Sequence, residues 1–447
     1  MAKRGISTVV PRLRFLEFLS APKWSIKPMD QLYSFMRNNA LSRDKLNYER
    51  GAAKNIHYGD IHTKFPAHFD VTKERVPFIN DSEDVPDAGS EDYCVEGDLI
   101  FADASEDTND VGKSIEVVRL NGEQLLAGQH TILARRKDDA IALGFGGHLF
   151  RSGHVRHQIK REAQGTKVYS ISPSRLGAVQ VAYPSGKVEQ QKIADCLTSL
   201  DEVIAAQGRI VAALKAHKRG LMQQLFPREG ETRPRLRFPE FRDAPEWEER
   251  ELGPMTIKVG SGITPRGGDK NYKSKGRPFM RSQNVGWGQL LLEDIAFIDE
   301  SMHASFDGTE IVESDVLLNI TGASIGRSAI ADFRIAGGNV NQHVCIIRTK
   351  SDALNPVLLN QFLISERGQE QIDSFQAGGN RQGLNFAQIR SLEIPLPPTQ
   401  KEQQRIADCL SSLDAQIAAE SRQLTALKTH KQGLMQQLFP APEPART

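Results

Sequence analysis

Residues 189–227 read EQQKIADCLTSLDEVIAAQGRIVAALKAHKRGLMQQLFP, and residues 402–440 read EQQRIADCLSSLDAQIAAESRQLTALKTHKQGLMQQLFP. At an offset of 213 the two stretches are identical at 28 of 39 positions, which makes them copies of one another. A second echo joins PRLRFLEF at 11–18 to PRLRFPEF at 234–241, followed by Trp24 and Trp247 at an offset of 223. The chain is therefore a duplication, ordered variable segment, repeat, variable segment, repeat.

A 4-3 spacing picks out Ile193, Leu197, Leu200, Ile204, Gln207, Val211, Leu214, Lys218, Leu221 and Leu225 in the first copy. The second gives Ile406, Leu410, Leu413, Ile417, Glu420, Leu424, Leu427, Lys431, Leu434 and Leu438, so eight of ten positions are apolar in each. This is the heptad pattern of a coiled coil. Pro184 and Pro397–Pro398 precede the helices, and Pro227 and Pro440 stop them. One narrow apolar stripe needs a partner, so the copies are expected to pack on each other. A pseudo-twofold axis across the duplication makes them antiparallel; the plainer alternative is two separate helices, each lying on its own domain. About 37 helical residues span ~55 Å. Gln207 and Glu420 fall near mid-helix, where one polar layer can set register. Cys196 and Cys409 lie beside the seam and read as packing residues.

The expected organisation is α+β: two similar α/β domains separated by two long helices forming an antiparallel coiled coil. The first domain takes residues 1–188, the first spacer helix 189–227, the second domain 228–401, the second helix 402–440, and a tail 441–447. VEGDLIFADA, ESDVLLNITG, HTILAR and HVCIIR read as strands, and PVLLNQFLISERGQEQIDSF as one amphipathic helix after Pro356. Polar and basic residues gather in what read as turns. In the second variable segment these are Arg266, Lys270, Tyr272, Lys273, Lys275, Arg277 and Arg281, with Gln283 and Asn284 beside them. A later turn carries Asn380, Arg381 and Gln382. In the first segment the clusters are Arg135 and Arg136, then Arg151, Arg156, His157 and Lys160. Lys and Arg neutralise phosphates, and Arg, Gln and Asn can read base edges bidentately. The bland alternative is that such loops are merely solvated.

Composition bounds the rest. With 447 residues, 39% hydrophobic and 25% charged, the chain has material for real cores. Its formal charge of +1 excludes an even positive coat but not a local basic face. Four dispersed cysteines without a CxxC pair exclude a zinc ribbon and point to a reducing, cytoplasmic setting. No apolar run reaches the ~18 residues of a membrane span, and the N-terminus does not read as a signal peptide. No catalytic motif and no metal set emerges: Gly322 to Ser328 is one residue short of a P-loop and has Arg327 where Lys belongs. His57 and His62 make a poor ligand pair.

The order of segments, with IPLPPTQKEQQRIADCLSSLDAQI at 394–417, its partner at 189–204 and the GSGITPR…RPFMRSQNV stretch, resembles the specificity subunit of type I restriction–modification enzymes. The resemblance covers nearly the whole chain. It implies two target-recognition domains, each reading one half of a split double-stranded DNA target, with the helices as a ruler between half-sites. It implies methylation subunits, usually two, docked on the helices, and restriction subunits beyond them. S-adenosylmethionine, ATP and Mg would sit on those partners, leaving this chain without cofactor or chemistry of its own. The competing reading is a coiled-coil protein-interaction adaptor without DNA-sequence recognition.

Overall fold

The structure, a computed structural model, describes residues 8–80, 89–306, 308–376 and 383–441. They fall into two compact units, Met1–Gln207 with Gln423–Thr447, and Gly208–Arg422. The boundaries cut through the long helices, Lys187–Leu225 and Gln400–Leu438. The expected division at 188 and 228, with the helices set apart as spacers, thus differs from the compact units. Each unit owns the first half of one helix and the second half of the other, because both halves are buried in its core.

Glu189, near the start of the first helix, is almost fully buried and accepts from Arg14 at 2.8 and 2.7 Å and from Trp24 Nε1 at 3.1 Å. Phe439, just past the end of the other helix, packs on the same Trp24 ring at 6.3 Å. The Leu13 N–H donates to the Gln437 carbonyl at 3.0 Å, satisfying an orphan acceptor of that helix end. The second unit repeats the socket. Glu402 accepts from Arg237 at 2.7 and 2.8 Å and from Trp247 Nε1 at 3.2 Å. Phe226 packs on Trp247 at 6.5 Å, and Leu236 N–H donates to the Gln224 carbonyl at 2.9 Å. The next residue, Gln190 or Gln403, is buried too, and its amide bonds backbone groups at 140–142 and 184 or at 353–355.

All sixteen apolar seam residues are buried or half-buried. Ile193, Leu197 and Leu438 share one core; Leu225, Ile406 and Leu410 share another. The lysines that interrupt the heptads are paired. Lys218 Nζ reaches Asp414 at 2.6 Å, and Lys431 makes the matching bond to Asp201. Rising numbers on one helix meet falling numbers on the other, so the pairing in each unit is antiparallel.

The first unit's main sheet runs in the order Tyr33–Met36, Thr131–Arg136, Leu99–Ala102, Ser114–Arg119, His68–Asp70. The second unit has Thr256–Ser261, Val344–Thr349, Val316–Asn319, Ser328–Ile330. The HTILAR and HVCIIR strands are central, in register Thr131↔Ala102 and Val344↔Asn319. Each central strand is apolar on both sides because both faces are covered. Leu99, Phe101, Ile132 and Ala134 face the helix-bearing core, while Ile100, Ala102 and Leu133 face a second one. Val316, Leu318, Cys345 and Ile347 alternate with Leu317, Val344 and Ile346 in the same way.

Two expectations change. PVLLNQFLISERGQEQIDSF is two helices, Pro356–Leu363 and Glu366–Ser374, not one. Ser365 caps the second by accepting from the Gly368 N–H at 3.2 Å, and a Cβ on Gly368 would lie 2.1 Å from the Phe362 carbonyl oxygen. Much of the basic stretch from Arg151 to Lys167 is a helix, Gly153–Glu162, rather than a turn. Its Val155 and Ile159 are buried one turn apart. Among the described residues no helix is long and apolar enough to cross a membrane.

Arg237→Ala strands the Glu402 carboxylate inside the second unit. It should lower stability by about 3–5 kcal/mol in denaturant unfolding, and Lys should not restore it because the pair is bidentate. A second expectation concerns acid. His68 and His148 lie 4.3 Å apart between ring centroids, and burial holds both below the usual imidazole range. The unfolded chain takes up those protons near pH 6.5, so the stability they permit is present above that pH and lost as pH falls below it. The loss is at most about 1.4 kcal/mol per pH unit for each ring. His148→Gln, which copies Gln361 at the matching place in the second unit, should flatten the acid limb of a stability–pH curve.

Candidate nucleic-acid interface

In the second unit the strand Thr256–Ser261 ends at Gly262, where a Cβ would lie 1.6 Å from the Val340 carbonyl oxygen. The chain then turns through Gly267 and Gly268, at φ of 96° and 60°, into a single 3-10 turn at Gly268–Asn271. Asn271 braces the turn by donating to the Arg266 carbonyl at 2.8 Å. The loop closes at Gly276 and re-enters a sheet at Arg277–Met280. Arg266, Lys270, Lys273 and Lys275 stand exposed on it and have no side-chain partner among the described residues. One carboxylate, Asp269, opposes these four cations within the loop.

The neighbouring candidates are held more firmly. Tyr272 lies 5.5 Å from the Phe279 ring, with the Arg281 guanidinium 5.3 Å from its own centroid. Burial raises the Tyr272 hydroxyl pKa, with Arg281 opposing. Arg277 bonds Glu300 at 2.8 Å, and that hydrogen bond raises its pKa. Arg281 and Gln283 both reach Asp294, leaving Gln283 exposed. Asn284 is 1% exposed: its amide donates to the Leu291 carbonyl at 2.9 Å and accepts from Arg281 N–H at 3.1 Å. Asn284 therefore shapes the turn from inside and presents no edge to a base. Asn380, Arg381 and Gln382 lie outside the described residues.

In the first unit the sequence-derived candidates are largely built into the fold. Arg135 bonds buried Asp98 at 2.8 Å and the carbonyls of Glu91 and Tyr93. Arg348 and Asp315 make the same pair in the second unit at 2.7 Å. Arg136 donates to the carbonyls of Ile141 and Glu96, and Arg151 to that of Ser114 at 2.8 Å. Arg156 donates to the Val111 carbonyl at 2.7 Å. Burial pulls the pKa of Arg151 and of Arg156 down to about 10. These four half-buried guanidiniums bond backbone carbonyls and a buried carboxylate, so the structure engages within the fold the residues that the sequence offered as DNA-contacting clusters in turns. His157 is exposed, and Lys160 is half-buried and bonded to Asn109 at 2.6 Å.

His57 accepts from the Gly59 N–H at 3.2 Å to cap the short helix Tyr58–Thr63, and His62 bonds the Ala104 carbonyl at 3.0 Å. No group of three metal-ligating side chains occurs among the described residues. One aromatic escaped notice. Trp287, in the turn after Asn284, is 54% exposed and borders a groove of about 1020 Å³ of mixed charge, where Lys215, Arg219 and Arg367 stand beside Glu229, Glu366 and Glu370. Its signal was present in the sequence, since VGWG places a large flat side chain between turn glycines.

Residues 246–429 match the family model of the type I restriction modification DNA specificity domain. A protein of Methanocaldococcus jannaschii assigned as the MjaX type I restriction enzyme specificity subunit is 21% identical over 423 residues, covering 93% of this chain and 92% of its own. The MjaVIII specificity subunit of the same organism is 22% identical over 297 residues, or 65% and 69%. Among solved structures, the S subunit of the type I restriction–modification system of M. genitalium has a similar fold. Its TM-score is 0.61 at 14% identity, covering 97% of this chain and 99% of that one.

Asn284→Ala should cost about 1–3 kcal/mol, because it leaves buried backbone groups unpaired. Lys275→Ala, on the exposed face of the loop, should leave the melting temperature unchanged. Thermal unfolding of the two variants side by side checks the division.

Proposed function

We propose that the chain is a specificity subunit of a type I restriction–modification system and that its two units each read one half of a split, non-palindromic DNA target. The observation that carries this reading is the pairing of one repeated helix frame with two units that share the order of four main-sheet strands and differ in surface residues. The second unit projects four cations without a side-chain partner among the described residues on a glycine-hinged loop. A scaffold alone has no use for diverged basic heads. Cations on a close-approaching backbone neutralise phosphates, and the side chains beside them read bases.

On this reading the 39-residue helices act as a ruler, each ~58 Å long at ~1.5 Å per residue. Half-sites about one to one and a half DNA turns apart then fall within reach. The chain carries no chemistry itself. Two methylation subunits docked along the helices bring S-adenosylmethionine, and restriction subunits bring ATP- and Mg-dependent translocation and cleavage, all in the cytoplasm. The near-neutral total charge makes DNA affinity weak for this chain by itself, since non-specific binding comes largely from counterion release.

Genome-wide detection of methylated adenine tests the proposal, in cells carrying this chain with its methylation subunits and in a deletion of this chain alone. A split motif that vanishes on deletion is the expected result; unchanged methylation would overturn it in favour of the adaptor reading. Inserting about four residues at the junction of the first helix and the second variable segment, between Pro227 and Arg228, should alter the spacer and leave both half-sites as they were. Lys270→Ala with Lys275→Ala should lower the slope of log affinity against log salt by about 2 in the assembled complex.

A further inference from the structure

With Arg135, Arg136, Arg151 and Arg156 turned inward, the first unit needs another DNA-facing element, and the strand pairings locate it. In the second unit the chain leaves Thr256–Ser261, which pairs with Val344–Thr349, and passes through the basic loop. It re-enters at Arg277–Met280, parallel to Asn339–Val340 and antiparallel to Ala296–Ile298. In the first unit it leaves Tyr33–Met36, which pairs with Thr131–Arg136, and passes through residues 37–53. It re-enters at Lys54–Ile56, parallel to Leu125–Ala127 and antiparallel to Phe78–Ile79. The segment 37–53 therefore occupies the same step of the same topology as 262–276.

Local detail agrees. Each loop holds one 3-10 turn, Arg43–Lys45 or Gly268–Asn271. Asp44-Lys45-Leu46-Asn47-Tyr48 matches Asp269-Lys270-Asn271-Tyr272 once a single residue is inserted. Each ends on a glycine pressed against a carbonyl: a Cβ on Gly51 would lie 2.4 Å from Ile79 O, and one on Gly276 would lie 2.3 Å from Ile298 O. Beyond the re-entry strand, His57 and Arg281 are the N-caps of short turns, with Asp60 and Asn284 each 1% exposed three residues on.

We infer that residues 37–51, with Tyr48 at the centre of the cations Arg43, Lys64 and Arg75, form the DNA-contacting loop of the first unit, an assignment that rests on the DNA-reading role proposed above. Tyr48 is 38% exposed. The Arg75 guanidinium lies 4.7 Å and the Lys64 ammonium 5.7 Å from its ring centroid, and Lys64 donates to its hydroxyl at 3.2 Å. Arg43 and Lys64 are both held by buried Asp60, at 3.0 and 2.8 Å. Asp60 bonds two of these three cations, and the loop also carries Asp44 and Glu49; against them stand Arg37, Arg43, Lys45 and Arg50 with Lys64 and Arg75 beside the ring, so positive charge prevails around a partly exposed tyrosine. Phosphates suit the cations; a base edge or face suits the ring. Tyr272 beside Arg281 repeats the motif in the second unit, with its cation supplied from a different position.

The test uses the full chain assembled with its methylation subunits and duplexes in which one half-site or the other is scrambled. Tyr48→Ala with Arg75→Ala should weaken binding to the intact site about tenfold or more. It should abolish discrimination against scrambling of one half-site and leave the other intact; Lys270→Ala with Tyr272→Ala should do the converse. Arg75→Ala alone, an exposed change that removes only the cation over the ring, guards against a folding artefact and should show a smaller loss in the same half-site. Unchanged affinity and unchanged discrimination in both Tyr48 and Arg75 variants would overturn the loop assignment while leaving the split-target reading standing. A wild-type complex that discriminates neither half-site would overturn that reading and the assignment together.

Discussion

A carboxylate taken out of water must be met by cation and donor, and this molecule places such a carboxylate near the start of each long helix. Glu189 and Glu402 are satisfied only when an arginine from the PRLRF segment and the tryptophan that follows it converge on them. The same tryptophan receives the phenylalanine ending the other helix. One socket thus fixes four pieces of chain that are remote in sequence. Removing any one partner leaves a buried charge or an empty ring face, so the pieces stand or fall as a set. The variable segments hang from this socket and can diverge without disturbing it.

Within each unit the second constraint is the sheet. Its central strands are covered on both faces, which leaves side chains there no route to a ligand. Polar chemistry has to come from the segments joining strands, and those segments can carry charge only if their backbone is held. Gly51, Gly262 and Gly276 do this by letting the loop lie against a carbonyl where any Cβ would collide. The seam lysines show the opposite use of charge. Lys218 and Lys431 break an apolar stripe, yet each meets an aspartate from the facing helix and so favours one antiparallel register.

How much was legible before the fold was known follows from what each signal depends on. Identity at 28 of 39 positions, heptad spacing and continuous apolar runs are properties of adjacent residues. They determined the duplication, the antiparallel helices and the central strands. The break at Ser365 was harder to see, because it rests on one cap and one glycine contact inside an otherwise good helical pattern.

Which cations face outward was not readable, because an arginine in a sequence is only a charge. Arg151 and Arg156 look like a phosphate-binding pair until the fold brings the carbonyls of Ser114 and Val111 to them; each then donates within the fold from a half-buried side chain. The segment 37–51 went unremarked for a related reason. One inserted residue breaks its match to 262–276, and only strand pairing restores the equivalence. The sequence by itself determined the repeated frame, since repetition and periodicity are local. The tertiary structure alone decided which residues that frame exposes, since exposure depends on what distant chain arrives beside them.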